Sequence, residues 1–141
     1  MAKIVFCEDE KLLQKLFRAL MRSTEHEIHI ASDGIEGLAI IERERPDLIL
    51  TDISMPHCDG FQLADAVKAR PSLATIPIIF VTGFAQKYDM EEAVRHGARG
   101  YLLKPFKPAD LQAAIAAALV ADKDNNGGES DESTWLAEVH S

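Results

Sequence analysis

No stretch of this 141-residue chain reaches the ~18 consecutive apolar residues that a membrane-spanning helix requires. The N-terminus has no signal-like apolar run either, so the expected location is the cytoplasm. Cysteine is scarce. Cys7 and Cys58 lack any CxxC or Cys/His spacing, which argues against a thiolate zinc site, and two cysteines do not make a disulfide framework. Cys7 falls in an apolar strand pattern, where a buried free thiol is common. A basic stripe is also missing. From Asp122 onward six acids face one base and leave −5, while the preceding 17 acids and 14 bases leave −3. Neither part has the positive footprint of a nucleic-acid binder, so no direct nucleic-acid contact is expected.

What the chain does have is ordinary globular composition, 47% hydrophobic and 27% charged, in a length that suits one domain. Short apolar runs alternate with longer amphipathic segments. Lys3 to Cys7 reads as a first strand. Leu12, Leu13, Leu16, Phe17, Leu20 and Met21 recur at three- and four-residue intervals and predict a helix with one buried face. Ile28 to Ala31 is a second strand. Asp33-Gly34 is a turn and a candidate helix cap, followed by a helix carrying Ile35, Leu38, Ala39 and Ile41 until Pro46. Leu48 to Asp52 forms a continuous apolar strand that ends on a carboxylate. Asp59-Gly60 opens a helix with Phe61, Ala64 and Val67 inward.

Ile76 to Thr82 is a fourth strand with Pro77 near its start. A weaker helix from about Asp89 to His96 stops at Gly97. Gly100 to Leu103 is the fifth strand, and Pro108 to Val120 the last helix. Five βα units predict a flavodoxin-like, doubly wound α/β fold, (βα)5, with a parallel five-stranded sheet in the order 2-1-3-4-5. The folded domain is expected over residues 1–121, followed by an acidic flexible tail over 122–141. Within that tail, Trp135, Leu136 and Val139 are read as part of a frayed terminus, with one helical turn bearing an apolar face as the alternative.

In an open parallel sheet, ligands bind beyond the carboxyl ends of the strands. Polar residues stand there in this chain: Glu8-Asp9 after strand one, Asp52 after strand three, Thr82 after strand four and Lys104-Pro105 after strand five. Carboxylates gathered in one pocket repel, by about 4 kcal/mol for two unit charges ~4 Å apart at an effective dielectric of 20. Positive charge is therefore required. Lys104 provides one, and a hard divalent cation such as Mg²⁺, which favours carboxylates, water and phosphate oxygen, suits the rest. Such a pocket can form and hold an acyl phosphate, with Asp52 as nucleophile.

Glu8-Asp9, Asp52, Met55-Pro56, Asp59-Gly60, Thr82, Tyr101 and Lys104-Pro105, in this order and spacing, resemble the signature of response-regulator receiver domains over residues 3–120. The resemblance implies a CheY-like switch of two-component systems that is not itself an enzyme in the ordinary sense. In it, Asp52 is the phosphoacceptor, Asp9 a direct Mg²⁺ ligand, Glu8 a ligand through water, and the Ser54 backbone carbonyl a further ligand. Lys104 contacts a phosphoryl oxygen, Thr82 moves to bond another, and Tyr101 swings inward after it. The Lys104–Pro105 bond is expected to be cis. The implied partners are a sensor histidine kinase or histidine phosphotransfer protein upstream, and a protein target on the fourth helix, fifth strand and fifth helix. A monomer or weak dimer is expected.

Two departures from the family pattern stand out. The acidic pair is Glu-Asp where Asp-Asp is more frequent, and Gly83 replaces the usual Ala, with bulky Phe84 beyond it. The five histidines are scattered, with no metal-ligand spacing and none placed as a phosphodonor. A haloacid-dehalogenase-like phosphohydrolase would use similar groups, but it carries a D-x-D pair on its first strand and closes a cap domain over substrate. Here Ser54 fills the second Asp position, the candidate nucleophile lies on strand three, and no cap is visible. A pure interaction module, and a receiver cut from a larger hybrid kinase or regulator, are the remaining alternatives.

Overall fold

The computed structural model describes residues 1–83 and 87–124. Ten elements alternate along the chain: β1 (Lys3–Cys7), α1 (Lys11–Met21), β2 (Glu27–Ala31), α2 (Gly34–Glu44), β3 (Leu48–Thr51), α3 (Gly60–Lys68), β4 (Ile78–Thr82), α4 (Lys87–Arg95), β5 (Gly100–Leu103) and α5 (Pro108–Asp124). The strands form one parallel sheet in the order β2-β1-β3-β4-β5. This is the flavodoxin-like arrangement the alternating pattern predicts. Among the described residues no helix is long and apolar enough to cross a membrane.

The period of two along each strand divides the interior into two cores. Ile4 and Phe6 of β1, Leu48 and Leu50 of β3, and Ile79 and Val81 of β4 face α1 and α5, where they meet Phe17, Met21, Leu111 and Ile115. Their neighbours Val5, Cys7, Ile49, Ile78 and Phe80 face the other side and pack with Ile41, Leu63, Val67 and Ala93. The three central strands are almost wholly buried. Nearly continuous apolar sequence is what such strands need.

Local signals hold at most boundaries. The Asp33 side chain accepts from the Glu36 N–H and caps α2. Asp59 caps α3 in a capping box: it accepts from the Gln62 N–H while the Gln62 side chain accepts from the Asp59 N–H. The β4 ladder begins at Ile78 rather than Ile76. The Ile76 N–H closes a turn onto Leu73, and Pro77 offers only its carbonyl, which accepts from Ile49. Helix α5 runs four residues past Val120, to Asp124, and so enters the segment expected as tail. Residues 125–141, with Trp135, Leu136 and Val139, lie outside the described residues, as does Phe84.

Two helix faces differ from the sequence expectation. In α1 only Phe17 and Met21 are buried, while Leu12 is 77% and Leu16 42% exposed. In α2 the inward face is Gly34, Gly37, Ile40 and Ile41, and Ile35 is 61% exposed. Both helices carry more apolar residues than one face can bury. Crossing geometry against the sheet, rather than hydrophobicity alone, selects which of them point inward.

Cys7 is fully buried between β1 and α2, and burial pushes its thiol up to about 12 from an ordinary 9.0. A buried thiol that keeps its proton is unreactive. In the native protein a thiol-alkylating reagent should therefore modify half-buried Cys58 and spare Cys7 until the chain unfolds, as peptide mass mapping would show. The unfolded thiol ionises near 9.0 and the folded one near 12, so this contribution to stability is complete below pH 9 and declines as pH rises above it.

Candidate functional site

The order of the sheet brings the carboxyl ends of β1, β3, β4 and β5 side by side, and each ends on a polar residue. Glu8 and Asp9 follow β1, Asp52 follows β3, Thr82 closes β4 and Lys104 follows β5. Backbone bonds extend the sheet into this region. The Asp52 N–H donates to the Cys7 carbonyl at 3.0 Å, and the Lys104 N–H to the Thr82 carbonyl at 2.9 Å.

Glu8, Asp9 and Asp52 each place a carboxylate oxygen within 4.8 Å of the others. Glu8 is 0% and Asp52 7% exposed, whereas Asp9 is open to solvent. The Lys104 Nζ lies 2.6 Å from Glu8 Oε1 and 2.9 Å from Asp52 Oδ2, bridging the two buried acids. Glu8 Oε2 accepts from the Glu10 N–H and Asp52 Oδ1 from the Ile53 N–H. Burial raises the Glu8 carboxyl above its ordinary value, against the opposing pull of Lys104. Burial also works against the charge on Lys104, but Glu8 and Asp52 together outweigh it and hold its pKa above the usual lysine value. Lys104 is thus a cation at neutral pH.

The three carboxylates and one lysine leave a net deficit of positive charge. Oxygen donors alone, clustered at this spacing, suit a hard divalent cation such as Mg²⁺. Thr82 is fully buried at the edge of the cluster. Tyr101 is half-buried and packs against the core on the α2–α3–α4 side, next to Phe80 in the strand register. The Lys104–Pro105 bond is cis. Gly83 is exposed, with open space where a Cβ would stand.

Some supports of the site have no clear mark in the sequence. The Gln14 side chain donates to the Glu8 carbonyl at 2.6 Å and tethers the β1–α1 loop to α1. Gly60 does more than start α3. A Cβ there would overlap the Asp52 carbonyl oxygen and crowd the Ile53 backbone, whose carbonyl accepts from the Gly60 N–H at 2.7 Å. The helix N-terminus thus rests directly on the segment carrying Asp52. Between them, the Cys58 N–H donates to the Pro56 carbonyl across His57, held at φ 69° in a γ-turn. His57 is exposed.

Among the described residues, two of the scattered histidines sit with pairs of acids that spacing did not show. His96 lies 2.6 Å from Asp65 and 3.9 Å from Glu92, and His29 forms the second grouping. His29 Nε2 lies 2.7 Å from Glu27 and 3.7 Å from Glu44, at the opposite edge of the sheet. Lys3 pairs with the same two acids and balances them.

Comparison with known proteins agrees with this architecture. The response regulator receiver domain family matches residues 4–116. The polar-differentiation response regulator DivK of Brucella anthropi is 37% identical over 103 residues, 73% of this chain and 84% of DivK. The transcriptional regulatory protein RprY of Bacteroides fragilis is 36% identical over 117 residues, which are 83% of this chain but 49% of RprY. Among solved structures, the chemotaxis protein CheY4 of Vibrio cholerae superposes with a TM-score of 0.81 at 29% identity, covering 84% of this chain and 99% of CheY4. The receiver domain of sensor histidine kinase PA1611 from Pseudomonas aeruginosa, solved with a magnesium ion in its active-site cleft, gives 0.79 at 32% identity, covering 84% and 98%. This chain belongs to the response regulator receiver family, the CheY-like domains of two-component signalling. That family comprises signalling switches rather than ordinary enzymes, so the comparisons favour it over the phosphohydrolase alternative.

The geometry of the cluster sets the cost of altering it. Lys104→Ala leaves Glu8 and Asp52 buried together without a counter-charge and should cost about 3 kcal/mol, the low end for breaking a buried pair because Lys104 retains some exposure. Asp52→Asn removes one of the two repelling charges and should leave the urea midpoint in metal-free buffer unchanged or raised. Gly60→Ala forces α3 and the Asp52 backbone apart and should cost about 1–3 kcal/mol, the range for overpacking, in the same titration.

Proposed function

We propose that this chain is a phosphorylation-dependent signalling switch in which Asp52 accepts a phosphoryl group from a sensor histidine kinase or histidine phosphotransfer protein in the cytoplasm. The observation that carries the reading is Lys104 bridging Glu8 and Asp52 within one cluster of carboxylate oxygens. An Asp52 carboxylate oxygen attacks phosphorus as the phosphorus–nitrogen bond of a phosphohistidine breaks and the imidazole leaves. Asp52 is nearly buried, while Asp9, Ser54 and Gly83, which follow the ends of β1, β3 and β4, are exposed. Lys104 already sits 2.9 Å from Asp52 and stays on the transferred oxygens as their counter-charge.

Asp9, Asp52 and the Ser54 backbone carbonyl are the residues to hold Mg²⁺ directly. Glu8, with both oxygens engaged by Lys104 and the Glu10 N–H, acts through bound water. When bound, the ion neutralises charge on the phosphoryl oxygens. Phosphorylation adds about −1.5 to −2 charge and three acceptor oxygens at the cluster. Thr82 then shifts toward a phosphoryl oxygen, and Tyr101 follows into the space behind it. The surface of α4, β5 and α5 changes shape and is read by a downstream protein target, with the receiver acting as a monomer or weak dimer.

Incubation with acetyl phosphate and Mg²⁺, followed by intact-mass analysis, tests this reading. Wild type should gain one phosphoryl group, and Asp52→Asn none, while both keep the same circular dichroism. Omitting Mg²⁺ should suppress the addition. A phosphoryl group still accepted by Asp52→Asn would place the acceptor elsewhere. No addition to wild type, together with no binding of beryllium fluoride, would leave an interaction module without phosphotransfer.

A further inference from the structure

A groove of about 310 Å³ lies between the C-terminal end of α1, with the loop after it, and the length of α5 from Gln112 to Val120. Its walls include Met21 from α1 and Ile115, Ala116, Leu119 and Val120 from α5. Val120 is 56% exposed, so this apolar wall is open to solvent rather than sealed by the fold. The chain leaves α5 at Asp124, only four residues after Val120, or about 6 Å along a helix. The sequence beyond Asp124 is polar and acidic until Trp135-Leu136, with Val139 close behind.

We infer that the segment Trp135–Val139 folds back and seats its apolar side chains in the α1–α5 groove. Three independent features select this occupant. The first is reach. Ten residues, including Gly127-Gly128, separate Asp124 from Trp135. A random coil of ten residues has a mean span of about 18 Å, enough to reverse direction and return to the groove. The short tether also gives a local concentration in the millimolar range, so that even a weak contact is populated.

The second feature is composition. Trp135 is the sole tryptophan of the chain and stands with Leu136 and Val139 as the only large apolar side chains after residue 124. The groove wall offers aliphatic side chains of the kind an indole ring packs against. The third is charge. Helix α1 and its C-cap carry Lys11, Lys15, Arg18 and Arg22 without one acid. Residues 125–141 carry Glu129, Asp131, Glu132 and Glu138 without a lysine or arginine. An acidic segment returning to this groove comes back beside the C-terminal end of this basic helix, whose Met21 lines the groove.

The seated segment lies against the C-terminal end of α1 and residues 112–120 of α5, and no residue of the carboxylate cluster lines the groove. It therefore covers this face without touching the carboxylate cluster, and its docking does not depend on phosphorylation of Asp52.

Because Trp135 is the only tryptophan, its fluorescence in the full chain reads docking directly. Its emission should be blue-shifted, and acrylamide quenching several-fold weaker, relative to the urea-unfolded chain. Both effects should persist on dilution and weaken with added salt. Val120→Glu and Ala116→Glu change exposed positions of the groove wall and should return Trp135 to unfolded-like quenching, with circular dichroism and the melting transition retained. Trp135 quenched as strongly in the native as in the unfolded chain would overturn the inference. Shielding lost on dilution would assign the groove to a second copy of the chain, and shielding retained in both groove variants would place the contact elsewhere. Either result overturns it too.

Discussion

Two carboxylates, Glu8 and Asp52, are buried side by side at the edge of a hydrophobic sheet, and the Lys104 ammonium between them supplies their counter-charge. Lys104 reaches them from β5, while Glu8 comes from β1 and Asp52 from β3. The contact thus spans 96 residues of chain on one side and 52 on the other. Everything else near the site holds these three groups in register. The β1–β3 and β3–β4 ladders set the depth of Asp52, the Thr82 carbonyl fixes the Lys104 backbone, and the Gln14 side chain ties down the loop that carries Glu8.

The same arrangement suits a switch. A bridged, partly desolvated charge cluster responds strongly to added charge, because Coulomb interactions are stronger there than in bulk water. A lysine already shared between two acids can follow new negative charge on one of them without a large movement. Thr82 and Tyr101 occupy the last and middle parts of adjacent strands β4 and β5, the two positions through which the proposed function would pass a shift at the cluster outward. The two cores on either side of the sheet give this route a rigid support.

Support for the site is spread over residues that no motif singles out. Gly60 matters because nothing larger fits between α3 and the Asp52 carbonyl, and that closeness is invisible in a sequence where Asp59-Gly60 also reads as an ordinary turn. Leu12 and Leu16 match the period of a buried helix face yet lie exposed, since α1 presents Phe17 and Met21 to the sheet. The periodicity of α1 shows that it is a helix. Its rotation is fixed by Phe6, which packs on Phe17 with ring centroids 4.4 Å apart.

The sequence by itself determined the order of elements, the strand pattern and the candidate site residues. Each of these rests on local rules: apolar runs for doubly buried strands, Gly, Pro and Asp at the turns, and polar side chains left where strands end. The parallel sheet order came from those units and the handedness of their connections. Only the tertiary structure decided that Glu8 is sealed while adjacent Asp9 is open, and that Lys104 bridges Glu8 and Asp52. It also decided which leucines of α1 stay outside. Those outcomes depend on the distances and angles at which remote elements pack, and no local pattern of residues specifies them.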